Sequence, residues 1–162
     1  MNEQTVFVSK VVKPERKMLV KRGKKAKENF EYCEEVGCDV WNFLKSFPQG
    51  VAEPECLWLP EKYVKPGTSE YVQGVEVATE FFGELPEGFD LIELPESLYL
   101  VFKGPKFKEE DYVDAIRNVQ QAIAEFDYAA HGLKVNPESP RIQLEPIGTR
   151  GYIELVPVLS IF

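Results

Sequence analysis

The chain contains itself twice. At an offset of 81 residues, Pro14 meets Pro95, Glu15 meets Glu96, Leu19 meets Leu100, Val20 meets Val101 and Gly23 meets Gly104, five identities in the windows 12–23 and 93–104. The stretches after the two copies agree as well. After Gly23, apolar residues fall at Phe30, Cys33, Val40, Trp41, Leu44 and Phe47; after Gly104 they fall at Tyr112, Ile116, Val119, Ile123, Phe126 and Ala130. Both sets keep the spacing of a helix with one buried stripe. The second begins with Glu109, Glu110 and Asp111, which suit the positive end of a helix dipole, and stops at His131-Gly132, where glycine can adopt the left-handed cap. Each stretch leads into two strand-like runs, Cys56–Leu59 and Glu70–Val77 in one half, Arg141–Leu144 and Tyr152–Val158 in the other. Pro60, Pro66 and Gly67 break the first pair, and Pro146, Gly148 and Gly151 the second.

Each half therefore reads strand, helix, strand, strand, with one module over about 5–80, another over about 88–162 and a Gly/Pro/acid connector at Phe82–Gly88. The expected class is α+β: a single 162-residue domain of antiparallel sheets with two main helices and pseudo-twofold symmetry. A cleft between the two halves is the expected place for a small ligand.

Composition narrows the function. With 44% hydrophobic and 28% charged residues the chain is not wholly disordered. No apolar run approaches the ~18 residues of a membrane span. Met1-Asn2-Glu3-Gln4 opens no signal peptide, so a cytoplasmic location is expected, without a membrane partner. Cys33, Cys38 and Cys56 are too few for a disulfide framework, and neither their spacing nor the single His131 fits a zinc site, so no metal is expected. Phosphate loops, Gly-x-Ser-x-Gly and Cys–His pairs are absent, and no cofactor is expected.

The net charge of −8 is uneven. Residues 1–27 hold nine of the nineteen Lys and Arg against Glu3 and Glu15, giving +7 and leaving −15 for the remainder. Such an acidic body opposes nucleic acid and favours cationic ligands or a basic protein surface. The basic run Lys21–Lys27 reads as a solvated strand end leading into a helix.

One acid stands out. Alternation puts Tyr152, Glu154, Val156 and Val158 on one face of the last strand, with Ile153, Leu155 and Leu159 on the other. Glu154 is either a carboxylate on a pocket wall, where a bound cation offsets its desolvation, or a solvent-facing glutamate on a half-exposed strand. Tyr152, Trp58, Tyr71, Tyr99 and Phe102 are strand aromatics that could stack on flat ligands or attract cations, and they suit plain core packing equally. Trp41 lies on the apolar stripe of the first helix, where a core role leads. His131 suits a helix end, and Glu76 is a rough first-half counterpart of Glu154.

The run Phe89-Asp90-Leu91-Ile92-Glu93-Leu94-Pro95-Glu96-Ser97-Leu98-Tyr99-Leu100-Val101-Phe102-Lys103-Gly104 resembles the central segment of the GyrI-like small-molecule-binding domains, which serve as effector-binding domains of multidrug-sensing transcription regulators. The terminal strand, with Glu154 three residues before Pro157, is similar to that family's closing motif. The resemblance spans Val6 to Ile161. It implies a duplicated fold with a hydrophobic cleft in which Glu154 contacts bulky cationic aromatic ligands. With the first repeat beginning near residue 5, the chain resembles the stand-alone branch, with no helix-turn-helix module of its own. That branch also resembles hydrolases that open the cyclopropane ring of DNA-alkylating natural products. In that reading Glu154 activates water and Tyr71 or Tyr152 assists. A third reading is an acidic protein-interaction module of gyrase-inhibitor type. Ligand capture is the leading expectation of the three.

Overall fold

A computed structural model describes residues 5–162, so Met1–Gln4 and the leader expectation attached to them lie outside the described residues. The fold is α+β. Its strands are β1 (Phe7–Lys13), β2 (Arg16–Arg22), β3 (Glu55–Trp58), β4 (Tyr71–Val77), β5 (Phe89–Leu94), β6 (Ser97–Lys103), β7 (Leu133–Val135), β8 (Arg141–Gln143) and β9 (Ile153–Ser160). The helices are α1 (Asn29–Val36), α2 (Asp39–Lys45) and α3 (Tyr112–Glu125). Among the described residues no helix is long and apolar enough to cross a membrane.

The chain divides into two compact units. One contains the stretch ending at Lys13 together with 97–137 and 141–162; its strands run β1-β6-β9-β8, with β7 also on β9. The other contains 14–96 and 138–140; its strands run β3-β4-β2-β5. The pairings within each unit are antiparallel.

The duplication is written into the register. In the second unit Lys21 faces Gln73, and in the first Phe102 faces Glu154, the same pair moved by 81 residues on both strands. The opening strands obey the same rule with the copies crossed. Ser9 of β1 faces Val101 of β6, while Asp90 of β5 faces Val20 of β2. Each unit thus takes its outer strand from the other copy of the repeat.

The first expected helix is two helices. Gly37, at φ 111°, turns the chain between α1 and α2, a conformation that costs glycine little and L-residues much. The second helix stops at Glu125, because Phe126 is extended. His131 closes a short 3-10 turn, and Gly132 takes the left-handed cap at φ 70°.

The basic run anchors α1 through its backbone. Lys24, Lys25 and Ala26 donate their N–H groups to the Glu35 carboxylate at 2.6, 2.8 and 3.2 Å. Desolvation pushes the Glu35 carboxyl up, but these donors and the Lys24 charge outweigh it and hold it below the usual carboxylate range.

The first unit's core joins Val119 and Ile123 of α3 to Leu100, Phe102, Val156 and Val158 of β6 and β9, with Tyr152 just before β9. Helix and sheet approach closely at Gly104, where an added Cβ would lie 2.9 Å from Val119 Cγ2. Pro157 interrupts β9 without harm. β8 reaches β9 at Ile142 and Gln143, opposite Leu155 and Glu154, and β7 reaches it from Val158 onward. Residues 156 and 157 thus lie in the gap between these two short strands, where Asn136 N–H donates to the Pro157 carbonyl at 2.8 Å.

Candidate functional site

β9 is mostly residues that favour a buried pleat, and Glu154 is the charged residue among them. Its side chain is 0% exposed. Alternation places it on the face of Tyr152 and Val156, both in the core under α3, so the acid looks toward the helix. Phe102 stands directly opposite on β6.

Glu154 gathers its donors from three elements. Arg141, first residue of β8, gives Nε at 2.8 Å and Nη2 at 2.5 Å to Oε1. Gln120 of α3 gives Nε2 at 2.8 Å to Oε2. The Tyr152 hydroxyl also donates to Oε2 and in turn accepts from Gln143 Nε2 at 2.6 Å. A carboxylate offers about four acceptor sites, and these four donors fill them. A buried carboxylate is costly unless paired and hydrogen-bonded, and here it is both. Arg141 is the charged partner among these donors, and like the half-buried Gln120 it reaches solvent, with its side chain 35% exposed.

Beyond Phe102 the aromatic contacts continue. Phe102 meets Phe126 edge-on at 5.4 Å; Phe126 meets Tyr128 at 4.8 Å and stacks on His131 at 4.7 Å. Burial pushes the Tyr128 hydroxyl above its ordinary pKa, and the charge of Arg141 partly offsets this, which puts Tyr128 within electrostatic reach of the ion pair.

The structure brings Glu154, Tyr152 and Phe102 together. Tyr99 is fully buried on β6 but points to the opposite face from Phe102, three residues along the strand. Trp58, Tyr71 and Trp41 belong to the other unit. Trp58 meets Tyr71 edge-on at 5.2 Å and donates Nε1 to the Lys27 carbonyl at 2.9 Å. Tyr71 also meets Tyr32 at 5.7 Å, and Trp41 packs half-buried on the same cluster.

The counterpart of Glu154 is Gln73 and not Glu76. The register moves Gln73 onto Glu154 and Tyr71 onto Tyr152 at the offset of 81, whereas Glu76 faces Met18 three residues further along β4. Gln73 is buried and donates Nε2 to Asn29 Oδ1 of α1 at 3.0 Å.

Arg141, Gln120 and Gln143 are site residues that sequence reasoning misses, although each leaves a trace. Gln120 falls beside the α3 stripe between Val119 and Ile123, and Arg141 and Gln143 alternate with Ile142 and Leu144 in their strand-like run. Among the described residues no cluster of His, Cys, Asp or Glu could hold a metal ion.

No protein-family model matches the chain, and no curated protein does. Solved structures match it in fold. The C-terminal domain of EcmrR superposes with a TM-score of 0.59 at 16% identity, covering 96% of this chain and 98% of that one. SAV2435, solved bound to tetraphenylphosphonium, gives 0.57 at 15% identity and 94% coverage of both chains. EcmrR in its DNA complex gives 0.55 at 14% identity, and there this chain spans 58% of the other's length. The EcmrR domain and SAV2435 are GyrI-like effector-binding domains of multidrug-sensing regulators, and the fold of this chain is the GyrI-like fold.

Proposed function

We propose that this chain is a small-molecule-binding domain that captures amphipathic cationic or planar aromatic compounds, with Glu154 as the anchoring carboxylate. The observation that carries this reading is a fully buried carboxylate on an otherwise apolar strand, sharing its face with Tyr152 and Phe102. A buried charge needs a cationic partner, which Arg141 supplies here and which a flat, positively charged ligand would supply in its place beside Tyr152 and Phe102. The fold it shares with SAV2435, solved with an aromatic cation, supports the same class of ligand.

The experiment is calorimetric titration of the protein with tetraphenylphosphonium and with a rhodamine dye. Saturable binding is expected for the wild type and its loss for Glu154→Gln, with circular dichroism confirming that the variant is folded. Absence of saturable binding to the wild type, or equal binding by a folded Glu154→Gln, overturns the proposal.

A further inference from the structure

Glu154 already has a cation. Arg141 places two N–H groups on Oε1, while Gln120 and Tyr152 occupy Oε2, so a ligand that pairs with this carboxylate must exchange with a donor already there. The donors are not equally exchangeable. Tyr152 is 0% exposed with its hydroxyl also held by Gln143, and Gln120, though half-buried, is neutral, so its departure would exchange no charge for an incoming cation. Arg141 carries the charge, opens a strand of only three residues and has its side chain 35% exposed, so its guanidinium borders water. A guanidinium keeps its charge at any ordinary pH, so the exchange swaps one cation for another and keeps the buried carboxylate neutralised throughout.

We infer that Arg141 is the specificity-determining residue of this site: an internal counter-ion that an incoming cation must displace from Glu154. The inference rests on the binding function proposed for Glu154. It also names the ligand class that displaces Arg141 at least loss. The departing group takes two N–H···O bonds with it. A planar aryl amidine or guanidine restores both in the same fork geometry, whereas tetraphenylphosphonium has no N–H and restores neither. A neutral aromatic compound has no charge to exchange and leaves Arg141 where it is.

The test compares tetraphenylphosphonium, the diarylamidine pentamidine and the neutral N-phenyl-1-naphthylamine on wild type and Arg141→Ala by calorimetry. The wild type should bind pentamidine more tightly than tetraphenylphosphonium. Arg141→Ala should raise the affinity for both cations by ~tenfold or more, the scale of a lost charge-assisted pair, and leave the neutral compound unchanged. If Arg141→Ala proves unfolded by circular dichroism, Arg141→Lys takes its place; its ammonium lacks the fork, and cation affinity should still rise several-fold. Unchanged or weaker cation binding by the folded variant, beside cation binding by the wild type that requires Glu154, overturns the role of Arg141 and leaves the binding function standing. Tighter binding of tetraphenylphosphonium than of pentamidine to the wild type overturns the ligand class. Failure of both proteins to bind either cation overturns the binding function itself, and this inference with it.

Discussion

Gln73 and Glu154 hold the same position in the two copies of the repeat, one opposite Lys21 and the other opposite Phe102, and only Glu154 carries a charge. The copies have therefore diverged at one buried place. Glu154 has a guanidinium within 2.8 Å, whereas the hydrogen bond resolved for Gln73 runs to the neutral Asn29 side chain. Gln73→Glu should accordingly be destabilising, by about 1–3 kcal/mol at pH 7, since it buries a carboxylate whose cross-strand neighbour Lys21 holds its ammonium over the Phe89 ring, 5.3 Å from the centroid, and no guanidinium fork meets it. Desolvation would raise the new group's folded pKa above its unfolded value. The loss should then shrink as pH falls toward 5 and the group takes up a proton in the folded state. Urea denaturation at pH 7 and pH 5 checks both the size and the sign.

Tyr152→Phe removes a hydroxyl that donates to Glu154 and accepts from Gln143 while leaving the ring in the core. Two buried groups lose a partner, so stability should fall by about 1–3 kcal/mol. Gln143→Leu in the Tyr152→Phe background should cost less than it does alone, because the bond it would break has already gone. A double-mutant cycle on urea midpoints measures that coupling.

Gly104→Ala tests the approach of helix and sheet. The new methyl group would stand 2.9 Å from Val119 Cγ2, inside ordinary contact distance, and should cost about 1–3 kcal/mol through overpacking. In a Val119→Ala background the same substitution should cost clearly less. Equal cost in the two backgrounds would place the strain elsewhere than in this contact.

The cysteines should differ in reactivity. Burial, with the neighbouring Cys38 thiol adding to it, pushes the Cys33 thiol up to about 11. Cys38 is exposed and Cys56 is buried. Since the thiolate is the nucleophile, iodoacetamide at pH 8 should label Cys38 first and reach Cys33 only slowly, with Cys33 labelling climbing as pH rises toward 11. Mass spectrometry of digested protein reads the order.

Much of the fold is legible in the chain itself. The helical spacing of Ile116, Val119 and Ile123 and the alternation around Glu154 both reflect burial on one face, and burial is what such patterns record. The break at Gly37 is hidden because Phe30 through Phe47 keep helical spacing on both sides of it. β1 is hidden for the opposite reason: Phe7, Val8, Val11 and Val12 lie exposed along an edge strand, so no one-sided pattern marks it. The partners of Glu154 leave no pattern that ties them to it. Arg141 and Gln120 reach it across 13 and 34 residues of sequence, and only pairing of β8 with β9 and packing of α3 bring them to one carboxylate.

The crossed opening strands have a consequence for how the molecule can be divided. β1 completes the half of the fold that begins at Ser97, and β5 completes the half that begins at Pro14. Cleavage in the 82–88 connector would yield two fragments, each holding the arm its sibling lacks. Neither fragment could close its own edge, and mixing them should restore the whole, as in an arm-exchanged dimer whose two subunits have been joined into one polypeptide.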